Sequence, residues 1–319
     1  MAMRVALLFI DGVGIGRRDP DVNPLARVDH LLSRFQDEQE VRLPGGGHFR
    51  ALDPTFGVPG RPQSASNQTA ILTGRPAPHL IGRHVLGFPD AALRELLARD
   101  SLVLQLARHG RSATFANSYP SAYLRAMGLR AAGGHREPAD AGDLRLTPSR
   151  LRHLKASAST LAFAAAGVPL RTLAHARADQ GLTHDIHGRR ARAAGLDVPE
   201  RTPEEAAEVL LTLAGEADFT FFEHYLADEA GHAQDPVAAL DALESFDRLL
   251  RAVVARRPPD LTVLVCSDHG NVEDLSQRRH TLHAVPMLGF GPGAEGVAAL
   301  ETLADVATFI LSRLEVRSR

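Results

Sequence analysis

Apolar positions along the chain fall into short runs separated by longer stretches of helical periodicity. "VALLFI" (5–10), "SATFANS" (112–118), "DFTFFEH" (218–224), "LTVLVCS" (261–267) and "VPMLGFG" (285–291) read as strands buried on both faces. Between them, residues 66–73, 90–109, 203–215, 236–256 and 301–314 follow a helical pattern. Thr202, Pro203 and Glu205 form the signature of a capped helix start. This alternation predicts an α/β fold with a mainly parallel sheet sandwiched between helices. Between about 120 and 199 the rhythm breaks: the segment is rich in Arg, Ala, Gly and His and holds one apolar helix candidate, "TLAFAAAG". The expected organisation is a core of 1–119 and 200–319 interrupted by a small inserted cap at 120–199. No internal repeat is visible, and "LPGGGH" (43–48) reads as a flexible loop.

Composition narrows the functional classes. The 319 residues are 44% hydrophobic and 23% charged, with a formal net charge of −2. That describes a globular chain with no electrostatic footprint for nucleic acid or an anionic membrane. Lys155 is the only lysine among 36 basic residues. Cys266 is the sole cysteine, which rules out an intrachain disulfide and suits a cytoplasmic home. The amino-terminal apolar run is interrupted by Asp11 and is too short for a signal peptide, and no run approaches the ~20 apolar residues of a membrane span. Nothing in the sequence fixes an oligomeric state.

Candidate chemistry gathers at the predicted strand ends, where open α/β sheets bind ligands. Asp11 closes the first strand. Asp228 and His232, in "LADEAGH", follow the third, and Asp268 and His269 close the fourth. His280, in "RRHTLHAVP", precedes the last. Any one of these reads equally as a turn residue; three Asp and three His together suit two divalent cations, Mn²⁺ or Zn²⁺. His224 and His283 compete with His232 and His280 on spacing alone. His30, His109, His153 and His187 lie in helical or Arg-rich contexts and are expected at the surface. In "GRPQSASNQTAILTG" (60–74), small hydroxyl residues lead into a helix, whose amino terminus favours phosphate. Taken alone that motif is an ordinary Ser-rich turn; beside six metal-ligand candidates it supplies a nucleophile.

With these motifs in order, the chain resembles the alkaline phosphatase superfamily, on the branch of cofactor-independent phosphoglycerate mutase and phosphopentomutase. "LLFIDGVG", "DEAGH", "SDHGNVED" and "HTLHAVP" carry the resemblance over about 1–118 and 200–319, and "ETLADVATFILSRL" resembles the family's final helix. The resemblance implies one metal on Asp228, His232 and His280. It implies a second on Asp11, Asp268 and His269, with Ser64 bridging toward it as nucleophile. It prefers Ser64 to Ser66 and Thr69 by the offset from Gly74, and selects His232 and His280 through the patterns DxxxH and HTxxxVP. The chain departs from the mutases at Asn67, where they carry glycine. Asparagine there resembles the nucleotide pyrophosphatase/phosphodiesterase branch, in which the amide contacts phosphate. The segment at 120–199 is also shorter than the mutase cap, and "SASNQ" lacks the formylglycine motif of sulfatases.

The expected activity is two-metal phosphoryl transfer, as a phosphohydrolase or phosphomutase, on a small phosphate ester through a phosphoserine intermediate. The rivals are a phosphodiesterase of the nucleotide pyrophosphatase type and a non-catalytic metal-binding protein. The inserted segment is expected to fold over the site, with Arg171, Arg177, His184 and Asp185 as substrate contacts.

Overall fold

The computed structural model describes residues 3–38, 43–132 and 154–316. A six-stranded sheet runs in the order β2-β8-β7-β1-β6-β3. Its strands are β1 (Arg4–Ile10), β2 (His48–Leu52), β3 (Ala113–Phe115), β6 (Phe219–His224), β7 (Leu261–Cys266) and β8 (Val285–Phe290). A separate two-stranded ladder joins β4 (Ser118–Tyr119) to β5 (Arg171–Thr172). Strands β3, β6, β1 and β7 are parallel, while β8 and β2 pair antiparallel.

The alternation within β1 divides the core in two. Ala6, Leu8 and Ile10 face a cluster built on the helices Pro203–Glu216 and Pro236–Arg256. Val5, Leu7 and Phe9 face the other cluster, with the helices Ser64–Thr73, Leu102–Arg108 and Asp305–Arg313. Fully burying side chains of this size stabilises by about 1.5–3 kcal/mol each, so apolar runs in the central strands explain the sheet. The helix Pro203–Glu216 starts at the expected capping box: Thr202 N–H donates to Glu205 at 2.8 Å and Glu205 N–H to Thr202 Oγ1 at 3.2 Å.

Several expectations change. The helix expected over 90–109 is two, Ala91–Asp100 and Leu102–Arg108, because Ser101 leaves the helical backbone and accepts from Leu104 N–H. The strand expected over 112–118 ends at Phe115, where Asn117 takes over the pairing: its side chain accepts from Glu223 N–H and donates to Glu223 O, both at 2.8 Å. Strand β2 has no apolar run because it lies at the sheet edge with Arg50 and Ala51 exposed. "LPGGGH" includes a 3-10 turn over Pro44–Gly46.

Within 120–199, Leu173, Ala176 and Val198 form a small cluster of their own, while another part packs on the core. Its helix Ala158–Ala165 buries Ala158, Ala162 and Phe163 in the second core cluster, with the Phe163 ring 4.9 Å from Phe115. His187 and His30 are buried rather than at the surface; His187 bonds Arg201 O and Ser245 Oγ, each at 2.8 Å. His109 is exposed, as expected, and His153 lies outside the described residues. Among the described residues no helix is long and apolar enough to cross a membrane.

Candidate metal centre

The parallel strands deliver their carboxyl ends to one side, and the candidate ligands follow them. Asp11 is the residue after β1, and Asp268 and His269 lie just after β7. Asp228 and His232 occupy the helix Leu226–Ala233 that follows β6. Close approach of the loop after β1 requires Gly12: its φ is +76°, and a Cβ there would sit 2.6 Å from Asp228 Cβ.

These side chains converge. Ligand atoms of Asp11, Asp268 and His269 all lie within 4.8 Å of one another, as do those of Asp228, His269 and His280. His269 Nε2 is 3.3 Å from Asp11 and 3.6 Å from Asp268; His280 Nε2 is 3.6 Å from Asp228. His232 Nε2 stands 3.3 Å from Asp228 and 3.1 Å from His280 Nε2. Ser64, the first residue of its helix, places Oγ 2.9 Å from His269 Nε2.

Two features fit cations. First, His280 Nδ1 lies 2.8 Å from Pro62 O and His232 Nδ1 2.7 Å from Arg278 O. A ring nitrogen facing a carbonyl carries a proton, which leaves both Nε2 atoms, turned toward each other and toward Asp228, as the ligand atoms for a cation. A positive charge between them, a proton or a cation, satisfies both. Second, the carboxylates crowd. Burial, then Asp268, Asp228 and Glu223, push Asp11 well above the usual carboxylate range. Burial also raises Asp268, reinforced by Asp228 and opposed by His269. Among the described residues no hydrogen-bond donor reaches the buried Asp11 Oδ1. Cations would relieve this crowding. Burial opposes ionisation of Asp228 too, yet His232, His269 and His280 hold it below the usual range. The hydrogen bond to Asp228 lifts His232 to about 9, while burial and His269 bring His280 down to about 4.

The rival histidines are placed elsewhere. His283 Nδ1 bonds Glu273 at 2.9 Å. His224 is buried against Phe246 with Nδ1 2.7 Å from His184 O.

Asn67 corrects the sequence reading. It is fully buried, and its amide donates to Pro54 O at 2.9 Å and to Asp268 O at 2.8 Å. It ties the serine helix to the end of β7, where phosphate contact had been expected. One position on, Gln68 Nε2 reaches Asp11 at 3.3 Å and Asp268 at 3.2 Å. Sequence reasoning also missed Glu273, visible in "SDHGNVED". Its buried carboxylate accepts from Gly14 N–H, Asn271 N–H and Thr281 Oγ1, and so shapes the loop between Asp268 and His280. Asn271 in turn donates to Asp228 Oδ1 at 2.7 Å.

Beside the ligand cluster opens a cavity of about 550 Å³, lined in part by Asp11, Ser64, Gln68, Glu223 and Asp228. Glu223 accepts from Ser159 Oγ at 2.7 Å, and burial raises it to about 7. Of the expected cap contacts, only His184 lines this cavity. Arg171 donates to Thr114 and Arg177 to Asp197 O, while Asp185 accepts from Gly188 and Arg190 N–H.

Residues 196–318 match the family model described as the metalloenzyme superfamily. Over that stretch the chain is similar to that superfamily. It is 28% identical over 141 residues to phosphopentomutase of Deinococcus radiodurans, covering 43% of this chain and 34% of that protein. It is 33% identical over 127 residues to the 2,3-bisphosphoglycerate-independent phosphoglycerate mutase of Desulforudis audaxviator, covering 36% and 24%. The chain thus aligns with about a third or less of the length of these curated relatives. In fold it is similar to the alkaline phosphatase of the Antarctic bacterium TAB5, with TM-score 0.53 at 14% identity over 99% of both chains. A cold-active alkaline phosphatase from Shewanella sp. gives TM-score 0.53 at 14% identity, over 97% of this chain and 99% of that one. The mainly parallel α/β architecture is therefore similar in fold to these alkaline phosphatases.

Proposed function

We propose that this chain transfers the phosphoryl group of a small phosphate ester by way of a phosphoserine at Ser64. The observation that carries the reading is Ser64 Oγ at the start of a helix, 2.9 Å from His269 Nε2 and inside a set of three Asp and three His. On this reading Asp228, His232 and His280 hold one divalent cation, and Asp11, Asp268 and His269 with Ser64 hold the other, Mn²⁺ or Zn²⁺. Bound cations supply Lewis acidity, polarising phosphate oxygens and favouring the ionised serine. Ser64 gives up its hydroxyl proton to solvent and its Oγ attacks phosphorus, the bond from phosphorus to the leaving oxygen breaks, and that oxygen takes a proton from solvent. Backbone N–H groups in the first turn of Ser64–Thr73 receive the equatorial oxygens. Gln68 holds Asp11 and Asp268 in place. Water or a second substrate hydroxyl then accepts the phosphoryl group, giving hydrolase or mutase turnover. A cytoplasmic location belongs to this reading.

Tyr123, Lys155, Ser157, Thr160 and His184 all line the cavity, which supports a substrate-facing role for the 120–199 segment despite its packing into the core. The phosphodiesterase alternative rested on Asn67, which is turned to the backbone. A purely structural metal role gives no reason for a serine hydroxyl among the ligands. The test is intact-mass analysis after a brief pulse with p-nitrophenyl phosphate and Mn²⁺. The protein should gain one phosphate, absent in Ser64→Ala; phosphate on Ser66 or Thr69, or none with turnover intact, overturns the mechanism.

A further inference from the structure

All three tyrosines of this chain line the cavity beside Ser64. Tyr119 and Tyr123 are near neighbours in sequence and Tyr225 lies about a hundred residues on; the same lining holds Phe88, His184 and the sole lysine, Lys155. The rings make a connected surface. Tyr119 and Tyr123 stack at 5.5 Å with planes 19° apart, Tyr119 meets His184 edge-on at 5.3 Å, and His184 lies 4.8 Å from Tyr225. Lys155 Nζ sits 5.7 Å from the Phe88 ring centre.

Core formation explains Tyr119, which is buried. Tyr123 packs partly on the second core cluster, which leaves Phe88, 42% exposed, and the half-buried Tyr225 less fully explained by the core. The Phe88 ring lines the cavity with much of its surface exposed, and among the described residues its ring contact is Lys155, so its surface is available to a ligand. The same cavity carries Ser64 with the carboxylates of Asp11, Asp228 and Glu223. A ligand filling it has a phosphate at the serine and a flat apolar group against the rings.

Resting on the phosphoryl-transfer reading, we infer that the cavity selects phosphate esters whose leaving group carries a planar ring, of the nucleoside monophosphate class. Aromatic side chains stack any base by its π-face, with gains of about tenfold or more in affinity. Small polyol or carboxylate esters leave that wall wet. At about 550 Å³ the cavity falls within the range of small-molecule sites.

The test uses metal-loaded Ser64→Ala protein, which binds without turnover, titrated calorimetrically with adenosine 5′-monophosphate and with ribose 5-phosphate. The two probes differ only in the base. The monophosphate should bind at least tenfold tighter. Phe88→Ala and Tyr225→Ala, added singly, should shrink that ratio several-fold while leaving ribose 5-phosphate affinity unchanged; Tyr225→Phe should preserve it. Equal affinities, tighter ribose 5-phosphate, or a preference insensitive to both alanine variants overturns the inference and leaves phosphoryl transfer standing. Binding of neither probe removes the phosphate site itself, and the inference falls with it.

Discussion

Replacing Asn67 by alanine separates two accounts of the helix that carries Ser64. The amide donates to Pro54 O at 2.9 Å and to Asp268 O at 2.8 Å, fully buried. Without it, two buried carbonyls lose a donor. Each such loss costs about 1–3 kcal/mol, so the pair costs roughly 2–6 kcal/mol. Against a typical total of about 5–15 kcal/mol, that is a large fraction. At about 2 °C per kcal/mol for a chain of this size, melting should fall by roughly 4–12 °C. Asn67→Asp keeps the volume but offers no N–H, so it should fall at least as far. Differential scanning calorimetry reads the melting temperature, and initial rates at 20 °C on folded, metal-loaded protein read catalysis. Removing a transition-state phosphate contact instead costs about 100-fold or more in rate. Unchanged melting with a rate loss of that size would refute the clamp and restore phosphate contact.

Other outcomes follow from the same geometry. Gly12→Ala drives a Cβ to 2.6 Å from that of Asp228 in a left-handed backbone, so metal content should drop even where the fold survives, as read by elemental analysis. Chelation exposes the crowding of Asp11, Asp268 and Asp228; a metal present at 100 times its Kd contributes about 2.7 kcal/mol, so chelator should lower the melting temperature and refilling restore it. His283 is raised above its ordinary value by the hydrogen bond to Glu273. A raised imidazole stabilises fully below about pH 6.5 and loses that contribution as pH climbs through its folded value; His283→Gln should flatten the stability profile over that window, and an unchanged slope counts against the pair.

Much of this was legible in the sequence because two patterns dominate. Strands buried on both faces leave continuous apolar runs, as in β1 and β7, and parallel topology forces the residues that follow them to one side. That is why Asp11, Asp268 and His269 meet although more than 250 positions separate Asp11 from the other two. Edge strand β2 was hidden because half-exposed pairing needs no apolar run. Asn67 was misread because a three-residue offset from Ser64 does not settle which way a side chain turns on a helix buried along nearly its whole length. Gln68, one step further round, reaches the carboxylates instead. Glu273 was in plain view, but only its contacts with Gly14, Asn271 and Thr281 show what it does. The aromatic wall left no sequence signal, since Tyr119, Lys155 and Tyr225 are brought together only by the folded chain.

The central claim is that six side chains and Ser64 form a two-cation phosphoryl-transfer site, and metal stoichiometry with matched activity tests it most directly. Protein stripped by chelator, refilled with Mn²⁺ or Zn²⁺ and desalted should hold two equivalents and turn over p-nitrophenyl phosphate. Asp268→Asn and His280→Ala should each drop toward one equivalent with turnover lost. Less than one equivalent in the unmodified chain, or full turnover in chelator, would contradict the account.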